Sequence, residues 1–279
     1  MKQFKDKVAV ITGAASGIGL ALARRAAAEG MQLVLADIED AALAAAAAEL
    51  RGQGAQVLTV KCDVSRAEDV ESLAAQTLKA YGGVHLVCNN AGVGGVRTRT
   101  WEASAKDWQW VLGVNVWGVI HGVRVFTPIM LGQGEAGHIV NTASAAGFVS
   151  MASTAPYAVS KHAVVTLSEV LYHDLKDEKA QVGVSVLCPA WVGTNIWNAQ
   201  RNRPAELIDH AETEEERARR EQVRALLEKG RVTAADVAAL SFDAINEDRF
   251  YVFPHPKIRK DIQTRMEDIL ELRNPTRTA

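Results

Sequence analysis

The alternation of short apolar runs with longer helical stretches is the feature that most constrains the fold of this chain. The apolar runs lack the polar alternation of a half-exposed strand, which implies that the strands are buried on both faces. Buried strands separated by helices form a parallel sheet with right-handed crossovers. The predicted strands are Val8–Ile11, Leu33–Ala36, Val57–Val60, Val84–Val87, His138–Val140, Val182–Leu187 and, last, Phe250–Phe253.

This pattern predicts an α/β fold: a single Rossmann-like, doubly wound parallel sheet flanked by helices. No repeat or linker divides residues 1–279, so we predict a single domain. The pattern breaks at 195–230, which we predict to be a helical substrate-lid insertion. The charges of Ala211–Glu221 within it are also typical of a solvated, ion-paired helix. The tail, 254–279, carries apolar residues at helical spacing and can fold onto the lid or reach another subunit.

Composition excludes several classes of function. The net charge of −2 gives no basic excess for nucleic acid. No apolar run looks long enough to cross a membrane, and the N-terminus lacks the apolar segment of a signal peptide. Cys62, Cys88 and Cys188 are an odd number at wide spacing, which fits neither a disulfide framework nor a zinc site. We expect a cytoplasmic protein with no metal site, and Cys88 and Cys188 as core residues.

A glycine-rich turn follows the first strand and opens the first helix. Glycines at positions 13, 17 and 19 allow a tight turn and a close approach to a pyrophosphate, while the helix N-terminus offers free N–H groups. Ser16 and Ile18 lie within this turn. The order of strand, turn and helix predicts a dinucleotide site, against the alternative of a purely structural turn.

Asp37 ends the second strand, at the offset expected for an acid that accepts hydrogen bonds from the adenosine ribose. Its carboxylate would repel a 2′-phosphate, and the neighbouring Ile38 and Glu39 supply no cation. We therefore predict NAD as the cofactor in preference to NADP. The alternative for Asp37 is a helix N-cap.

Two further strand ends face the same edge of the predicted sheet. Asp63-Val64 ends the third strand and Asn89-Asn90-Ala91-Gly92 ends the fourth. Ligands in open α/β sheets bind beyond the carboxyl ends of the strands. We predict that Asp63, Val64, Asn90, Ala91 and Gly92 contact the cofactor, with a plain turn as the alternative for the second segment.

Tyr157 and Lys161 lie one helical turn apart, with Ser144 thirteen residues upstream of the tyrosine. With the glycine turn, Asn115 and the segment Cys188–Thr194, the chain resembles the classical short-chain dehydrogenase/reductase family over roughly residues 5 to 253. One departure is Ala190, where the family usually has glycine. The resemblance implies a homotetramer, or a homodimer, with Val164, Val165, Leu167 and Val170 facing a neighbour. The alternative for these residues is ordinary core packing on one side of their helix.

The resemblance also implies a role for each residue. Tyr157 would be the general base in oxidation and the general acid in reduction. The positive charge of Lys161, with that of the oxidised nicotinamide, would lower the pKa of that phenol, and Lys161 would also bind the nicotinamide ribose. Ser144 would hydrogen-bond the substrate oxygen. Asn115 would anchor a water that joins Lys161 to solvent. Pro189, Val192 and Thr194 would line the nicotinamide.

The expected substrate is a secondary alcohol or its ketone, apolar or aryl-substituted. The predicted pocket segments are mostly small and apolar, with Phe148, Met151, Trp191 and Trp197 as bulky members. An anionic substrate group is possible only if Arg97, Arg99 or Arg201 turns inward. A catalytically weak dinucleotide-binding regulator or scaffold is the alternative function. An NADP-dependent reductase of lipid or polyketide synthesis is a third, which Asp37 contradicts.

Overall fold

The computed structural model describes residues 1–277. The strands β1 to β7 are Val8–Thr12, Gln32–Asp37, Val57–Lys61, Leu86–Asn89, Gly137–Thr142, Val182–Leu187 and Tyr251–Val252. They form a wholly parallel sheet in the order β3-β2-β1-β4-β5-β6-β7, which winds outward from β1 to β3, returns to the centre, and winds outward again to β7. A crevice forms where that order reverses, beside the carboxyl ends of β1 and β4. The predicted doubly wound α/β fold is confirmed.

Helices cover both faces of the sheet. The helices α1 to α9 are Gly17–Ala28, Asp40–Gly52, Ala67–Tyr81, Ala105–Leu112, Gly118–Gln133, Ala155–Asp177, Glu214–Glu228, Ala234–Glu247 and Ile258–Leu270. One core lies under α1, α2 and α8 and contains Leu22, Leu50 and Phe242. The other lies under α3, α5 and α6 and contains Leu73 and Phe126.

The helix α8 has no counterpart among the sequence predictions. It begins with a capping box, in which the Thr233 side chain accepts from Asp236 N and the Asp236 side chain accepts from Thr233 N. Its Phe242 packs 5.1 Å from Phe4, ring centre to ring centre, and closes the core beside α1. The capping box and the buried positions at helical spacing were readable in the sequence.

A π-helical turn, Gly113–Trp117, joins α4 to α5 without a break. The joined helix, Ala105–Gln133, is long and apolar enough to cross a membrane by length and composition, contrary to the expectation from sequence. Core helices pass the same test, and Phe126 and Met130 on this one are fully buried against the sheet. The π turn widens the helix at Asn115 and directs that side chain inward.

The structure decides between the two alternatives for Val164 and Val165 on α6. Both are buried in the core of their own chain, so the predicted contact with a neighbour is wrong for them and the core alternative is correct. Val170 remains 52% exposed, as an interface residue would be in an isolated chain. All three cysteines are buried and free, so the core role predicted for Cys88 and Cys188 is confirmed.

Candidate active site

A cleft of about 1220 Å³ lies beyond the carboxyl ends of the strands, which is roomy enough for a dinucleotide and a small substrate together. One wall consists of the strand ends, and the other consists of the predicted lid. Most of the predicted site residues line this cleft. Gly19 and Asn115 lie directly behind the lining. The lining members are Gly13, Ser16, Gly17, Ile18, Asp37, Asp63, Val64, Asn90, Ala91, Gly92, Ser144, Tyr157, Lys161, Pro189, Val192 and Thr194.

The glycine turn has a backbone conformation that leaves no room for side chains at its glycine positions. Gly13 and Gly17 have φ of +65° and +55°, in the left-handed region that favours glycine. A Cβ on Gly19 would lie 2.0 Å from the carbonyl oxygen of Gly13. Ser16 is the N-cap of α1, and its side chain makes no capping hydrogen bond. The turn therefore leaves the N-terminus of α1 and the Ser16 hydroxyl available to a phosphate.

Asn90 ties the end of β4 to the glycine turn. Its Nδ2 donates to the carbonyl oxygen of Thr12 at 3.0 Å, and its backbone N donates to Thr12 Oγ1 at 2.9 Å. The next backbone N, that of Ala91, donates to the same hydroxyl at 3.1 Å. Thr12 thus holds two strand ends together by a single hydroxyl group.

Asp37 lies at the end of β2 and faces the same turn. One carboxylate oxygen accepts from the backbone N of Ala15 at 2.9 Å, and the other accepts from that of Glu39 at 3.1 Å. Burial raises the pKa of Asp37, and these two backbone donors oppose the rise. Glu39, not Asp37, occupies the N-cap position of α2, so the N-cap alternative is wrong.

Asp63 and Val64 form the next part of the rim, at the end of β3. The Asp63 carboxylate accepts from both the backbone N and the hydroxyl of Ser65, at 3.0 and 2.7 Å. Val64 is buried against Gly118 of α5, where a Cβ would lie 2.7 Å from its methyl group. This packing fixes a part of the rim that is predicted to contact the cofactor.

The Tyr157, Lys161 and Ser144 side chains meet at the centre of the cleft. Lys161 Nζ lies 5.7 Å from the centre of the Tyr157 ring and donates to the carbonyl oxygen of Thr142 at 2.9 Å. The Ser144 hydroxyl donates to the carbonyl oxygen of Pro189 at 3.2 Å. A modest rotation of that hydroxyl would redirect it towards a substrate oxygen beside Tyr157.

Burial controls the proton affinities of this group. It raises the pKa of Tyr157, against the opposing effects of the Ser144 hydroxyl and the positive charge of Arg97. It also lowers the pKa of Lys161 to about 8. Lys161 is not among the groups that shift the pKa of Tyr157 here, so its effect on the phenol, together with that of an oxidised nicotinamide, stays a prediction. The contribution of Arg97 was not foreseen.

Asn115 is fully buried, and both the oxygen and the nitrogen of its side-chain amide form hydrogen bonds within the protein. Its Oδ1 accepts from the backbone N of Val93 at 2.8 Å, and its Nδ2 donates to Val93 O and to Ser160 Oγ, both at 3.0 Å. Both amide hydrogens are therefore used within the protein. The geometry shows Asn115 as a support for the loop after β4, while its water-anchoring role stays a prediction.

The segment after β6, which is predicted to line the nicotinamide, forms a further wall of the cleft. The Pro189 carbonyl accepts from Ala145 N at 2.9 Å, and Val192 pairs with Val232 in a parallel bridge. Thr194 lies against the glycine turn, because a Cβ on Gly17 would be 3.1 Å from its methyl carbon. These contacts place the three predicted residues of this segment, 189, 192 and 194, along one wall.

A histidine from the tail supports the same wall. His255 Nδ1 accepts from the backbone N of Ala190 at 3.2 Å, and its Nε2 lies 3.1 Å from the carbonyl oxygen of Trp191. The two ring nitrogens of His255 thus hold the backbone at Ala190 and Trp191, at the position where the family usually has glycine. Ile258, at the start of α9, also lines the cleft, and Ile262 packs on the core beside α6, so this part of the tail folds back onto its own chain.

The substrate half of the cleft has a largely apolar lining. Met151, Trp191 and Trp197 line it as predicted, together with Val149. The prediction for Phe148 is wrong. Its ring turns away from the cleft and packs edge-on against other aromatic rings, 5.9 Å from Tyr251 and 5.2 Å from Phe253.

The predicted lid contains the 3₁₀ turns Asn195–Asn202 and Ala205–Leu207 followed by α7. Ion pairs with distant segments anchor it. Arg203 and Asp107 form a buried pair at 2.8 Å, with both side chains 7% exposed. Glu39 accepts from Arg201 Nη2 at 2.6 Å and from Asn202 Nδ2 at 2.9 Å. Sequence reasoning missed both anchors.

Comparison with known proteins agrees with this geometry. The family model of the short chain dehydrogenases matches residues 7–205. A short chain dehydrogenase/reductase from Burkholderia phymatum, solved in complex with NAD, is 52% identical, with a TM-score of 0.97 over 100% of this chain and 99% of that one.

Two curated relatives are similar over nearly the whole chain. The 1-deoxy-11-beta-hydroxypentalenate dehydrogenase of Streptomyces exfoliatus is 37% identical over 95% of this chain and 89% of its own length. The C alpha-dehydrogenase of Sphingobium sp. is 32% identical over 97% of this chain and 88% of its own. The protein therefore belongs to the short-chain dehydrogenase family of oxidoreductases.

Proposed function

We propose that this protein is an NAD-dependent oxidoreductase that interconverts a secondary alcohol and a ketone, with Tyr157 as general base and acid. The observation that carries the proposal is the meeting of Tyr157, Lys161 and Ser144 beside a glycine turn in one cleft. A pure binding protein would have no need of this proton-transfer group beside its dinucleotide site.

The cleft fits NAD by the chemistry of its own residues. The N-terminus of α1 and the uncommitted Ser16 hydroxyl suit a pyrophosphate, and Asp37 suits the two hydroxyls of a ribose. Two carboxylates, Asp37 and Glu39, line the cleft beside the predicted ribose site, and their charges would disfavour the 2′-phosphate of NADP. The structure of the Burkholderia phymatum relative with NAD supports the same preference. The bound cofactor would supply the hydride acceptor for alcohol oxidation.

The residues of this chain would transfer the proton and bind the substrate oxygen. In oxidation, the Tyr157 phenolate would accept the proton of the substrate hydroxyl as the C–H hydride leaves the same carbon. Ser144 would donate a hydrogen bond to the substrate oxygen, and Lys161 would stabilise the phenolate by its charge. In reduction, the Tyr157 phenol would return a proton to the oxygen as hydride arrives at the carbonyl carbon.

Apolar and aromatic side chains favour an apolar or aryl-substituted substrate. Met151, Val149, Trp191 and Trp197 give the substrate half broad surfaces without a hydrogen-bonding array of the kind a sugar would need. The dehydrogenase names of the two curated relatives support oxidation of an alcohol as the class of reaction.

The direct test follows nicotinamide reduction optically, with NAD and NADP, across aryl and alicyclic secondary alcohols. We expect turnover with NAD, a fall of about 10³-fold or more in Tyr157→Phe, and unchanged NADH affinity in that variant. Binding of NADH without turnover of any alcohol or ketone would favour the regulator or scaffold. Tighter binding of NADPH than NADH would overturn the cofactor assignment.

Assembly as a homotetramer or homodimer is part of the same proposal. Val159 and Val170 on α6, and Trp117 at the π turn, are each about half exposed in the single chain. Apolar side chains of this size on one surface suit contact with a second copy. Light scattering of the purified protein would give the mass, and a monomer would contradict the assignment.

A further inference from the structure

Arg97 differs from every other arginine that lines the cleft. It lies in the loop that follows β4, on the substrate half, and it is partly buried. The other four cleft-lining arginines each form an ion pair with a carboxylate. These four are Arg201 with Glu39, Arg203 with Asp107, Arg219 with Glu215 and Arg220 with Glu212. Within residues 1–277, Arg97 has no carboxylate at ion-pair distance, and its side chain donates no hydrogen bond.

Contacts on both sides hold Arg97 in place all the same. Its guanidinium lies 5.8 Å from the ring centre of Trp191, in a cation–π contact. Its backbone carbonyl oxygen accepts from Nη1 of Arg219, on the lid helix α7, at 2.7 Å. The guanidinium is therefore positioned by the protein while its N–H donors remain available to the cleft.

Arg97 lines the same cleft as the reacting group, Tyr157 and Ser144. Burial lowers the pKa of Arg97 and raises that of Tyr157, and the opposite charges of the two groups oppose both shifts. One substrate molecule can therefore place a group on Arg97 and its reacting oxygen on Tyr157 and Ser144. A partly buried, unpaired charge costs free energy that a bound anion would offset.

We propose that Arg97 binds a carboxylate on the substrate, so that the enzyme acts on an apolar hydroxy acid or the corresponding keto acid. This inference rests on the proposed function and specifies its substrate class. A planar guanidinium presents paired N–H donors that match a carboxylate in two parallel hydrogen bonds. Trp191 and Met151 would enclose the apolar part of the acid between Arg97 and the reacting carbon.

The first experiment measures binding alone. The complex of the enzyme with saturating NADH is titrated by calorimetry with phenylacetate and with its neutral isostere, phenylacetamide. We expect the wild type to bind phenylacetate about tenfold or more tightly than phenylacetamide. Arg97→Met should remove that preference, and Arg97→Lys should keep part of it because the charge remains without the planar fork.

Arg99 provides the matched control on the same loop. It is exposed, it pairs with Glu102 and stacks on Trp101, and it does not line the cleft. Arg99→Met should keep the full preference for phenylacetate. Equal binding of the two probes by the wild type, or an equal loss of preference in Arg97→Met and Arg99→Met, would overturn the inference.

The second experiment measures turnover of 3-hydroxy-3-phenylpropanoate against its methyl ester, with NAD. We expect kcat/KM to favour the acid by about tenfold or more in the wild type and to be nearly equal in Arg97→Met. Loss of the Arg97 charge also affects Tyr157, but that effect is common to both substrates and cancels in the ratio.

The two experiments separate this inference from the proposed function. Arg97-dependent binding of phenylacetate without turnover of either alcohol would support the anion site and count against alcohol oxidation of this class. Turnover of the ester as fast as the acid would support the oxidoreductase and overturn the carboxylate site.

Discussion

The cofactor half and the substrate half of the cleft are held together in different ways. The glycine turn, Asp37 and Asn90 are fixed by backbone geometry and by hydrogen bonds between neighbouring strand ends. The substrate half is fixed by ion pairs between segments far apart in the chain, such as Arg203 with Asp107. The cofactor half should therefore be damaged by substitutions that add atoms to the glycine turn. The substrate half should be damaged by substitutions that remove a charge.

The largest expected effect comes from breaking the buried ion pair of the lid. In Arg203→Met, the Asp107 carboxylate stays buried without its cation, and the free energy of unfolding should fall by about 3–5 kcal/mol. The lid should loosen, so KM for the alcohol should rise while NADH affinity changes little. Urea denaturation and steady-state kinetics measure both effects.

Two further variants show whether charge burial is the cause. Asp107→Asn combined with Arg203→Met should recover part of the lost stability, because no unpaired charge remains. Arg217→Met removes an exposed partner, 60% accessible and 3.5 Å from Glu212, and should cost under about 0.5 kcal/mol. A similar loss in Arg217→Met and Arg203→Met would contradict the argument.

Crowding of the glycine turn should damage the cofactor half instead. In Gly19→Ala, the new Cβ would lie 2.0 Å from the Gly13 carbonyl oxygen, and the backbone must shift at a cost of about 1–3 kcal/mol. NADH affinity, measured by fluorescence titration, should fall about tenfold or more. Gly132→Ala in α5 meets nothing within 4 Å and should leave NADH affinity unchanged.

The sheet beneath both halves should be sensitive to acid through His138. Burial lowers the pKa of this histidine to about 3, so the unfolded chain binds a proton that the folded chain refuses. Stability should therefore fall as the pH drops below 6.5, by about 1.4 kcal/mol per pH unit, until the pH approaches the folded-state pKa.

Between pH 6.5 and pH 5, the free energy of unfolding should fall by about 2 kcal/mol less in His138→Leu than in the wild type. Some slope should persist, because burial also lowers the pKa of His85, His121 and His255. Urea midpoints across that pH range give the comparison. If the urea midpoints of the variant and the wild type fall in parallel with pH, His138 is not the source of the acid sensitivity.

The smallest expected effect links the two halves. Glu39→Gln removes the charge that holds Arg201 and Asn202 of the lid, and NADH should dissociate severalfold faster, a change of about 0.5–1 kcal/mol. Stopped-flow displacement measures that rate. Glu49→Gln breaks a comparable pair with Arg24 outside the cleft and should leave the rate unaltered.

Sequence reasoning recovered the parts of the molecule whose causes are local. Buried strands show as continuous apolar runs, and the turn at Gly13–Gly19 shows as glycine where no other residue fits. The helix α8 was not predicted, although its capping box of Thr233 and Asp236 and its apolar residues at helical spacing are both local features of the sequence.

The missed site features depend on tertiary placement. Arg201 and Glu39 are 162 positions apart, and no pattern in either neighbourhood specifies the other. The direction of a single side chain is equally invisible, which explains why Phe148 was assigned to the cleft when it packs against Tyr251 and Phe253. Arg97 was one of three arginines that the sequence offered as contacts for an anionic substrate group. Among the residues that the structure describes, Arg99 and Arg201 each form an ion pair with a glutamate, and Arg97 does not.

The contact between Glu39 and Arg201 limits how freely this enzyme could change its cofactor. Glu39 is two residues beyond Asp37, so a redesigned site for a 2′-phosphate would place that phosphate near the carboxylate that holds the lid. The phosphate would compete with Glu39 for Arg201, and success would release the lid. Redesign of cofactor preference here would therefore also alter substrate affinity, and the two properties would have to be optimised together.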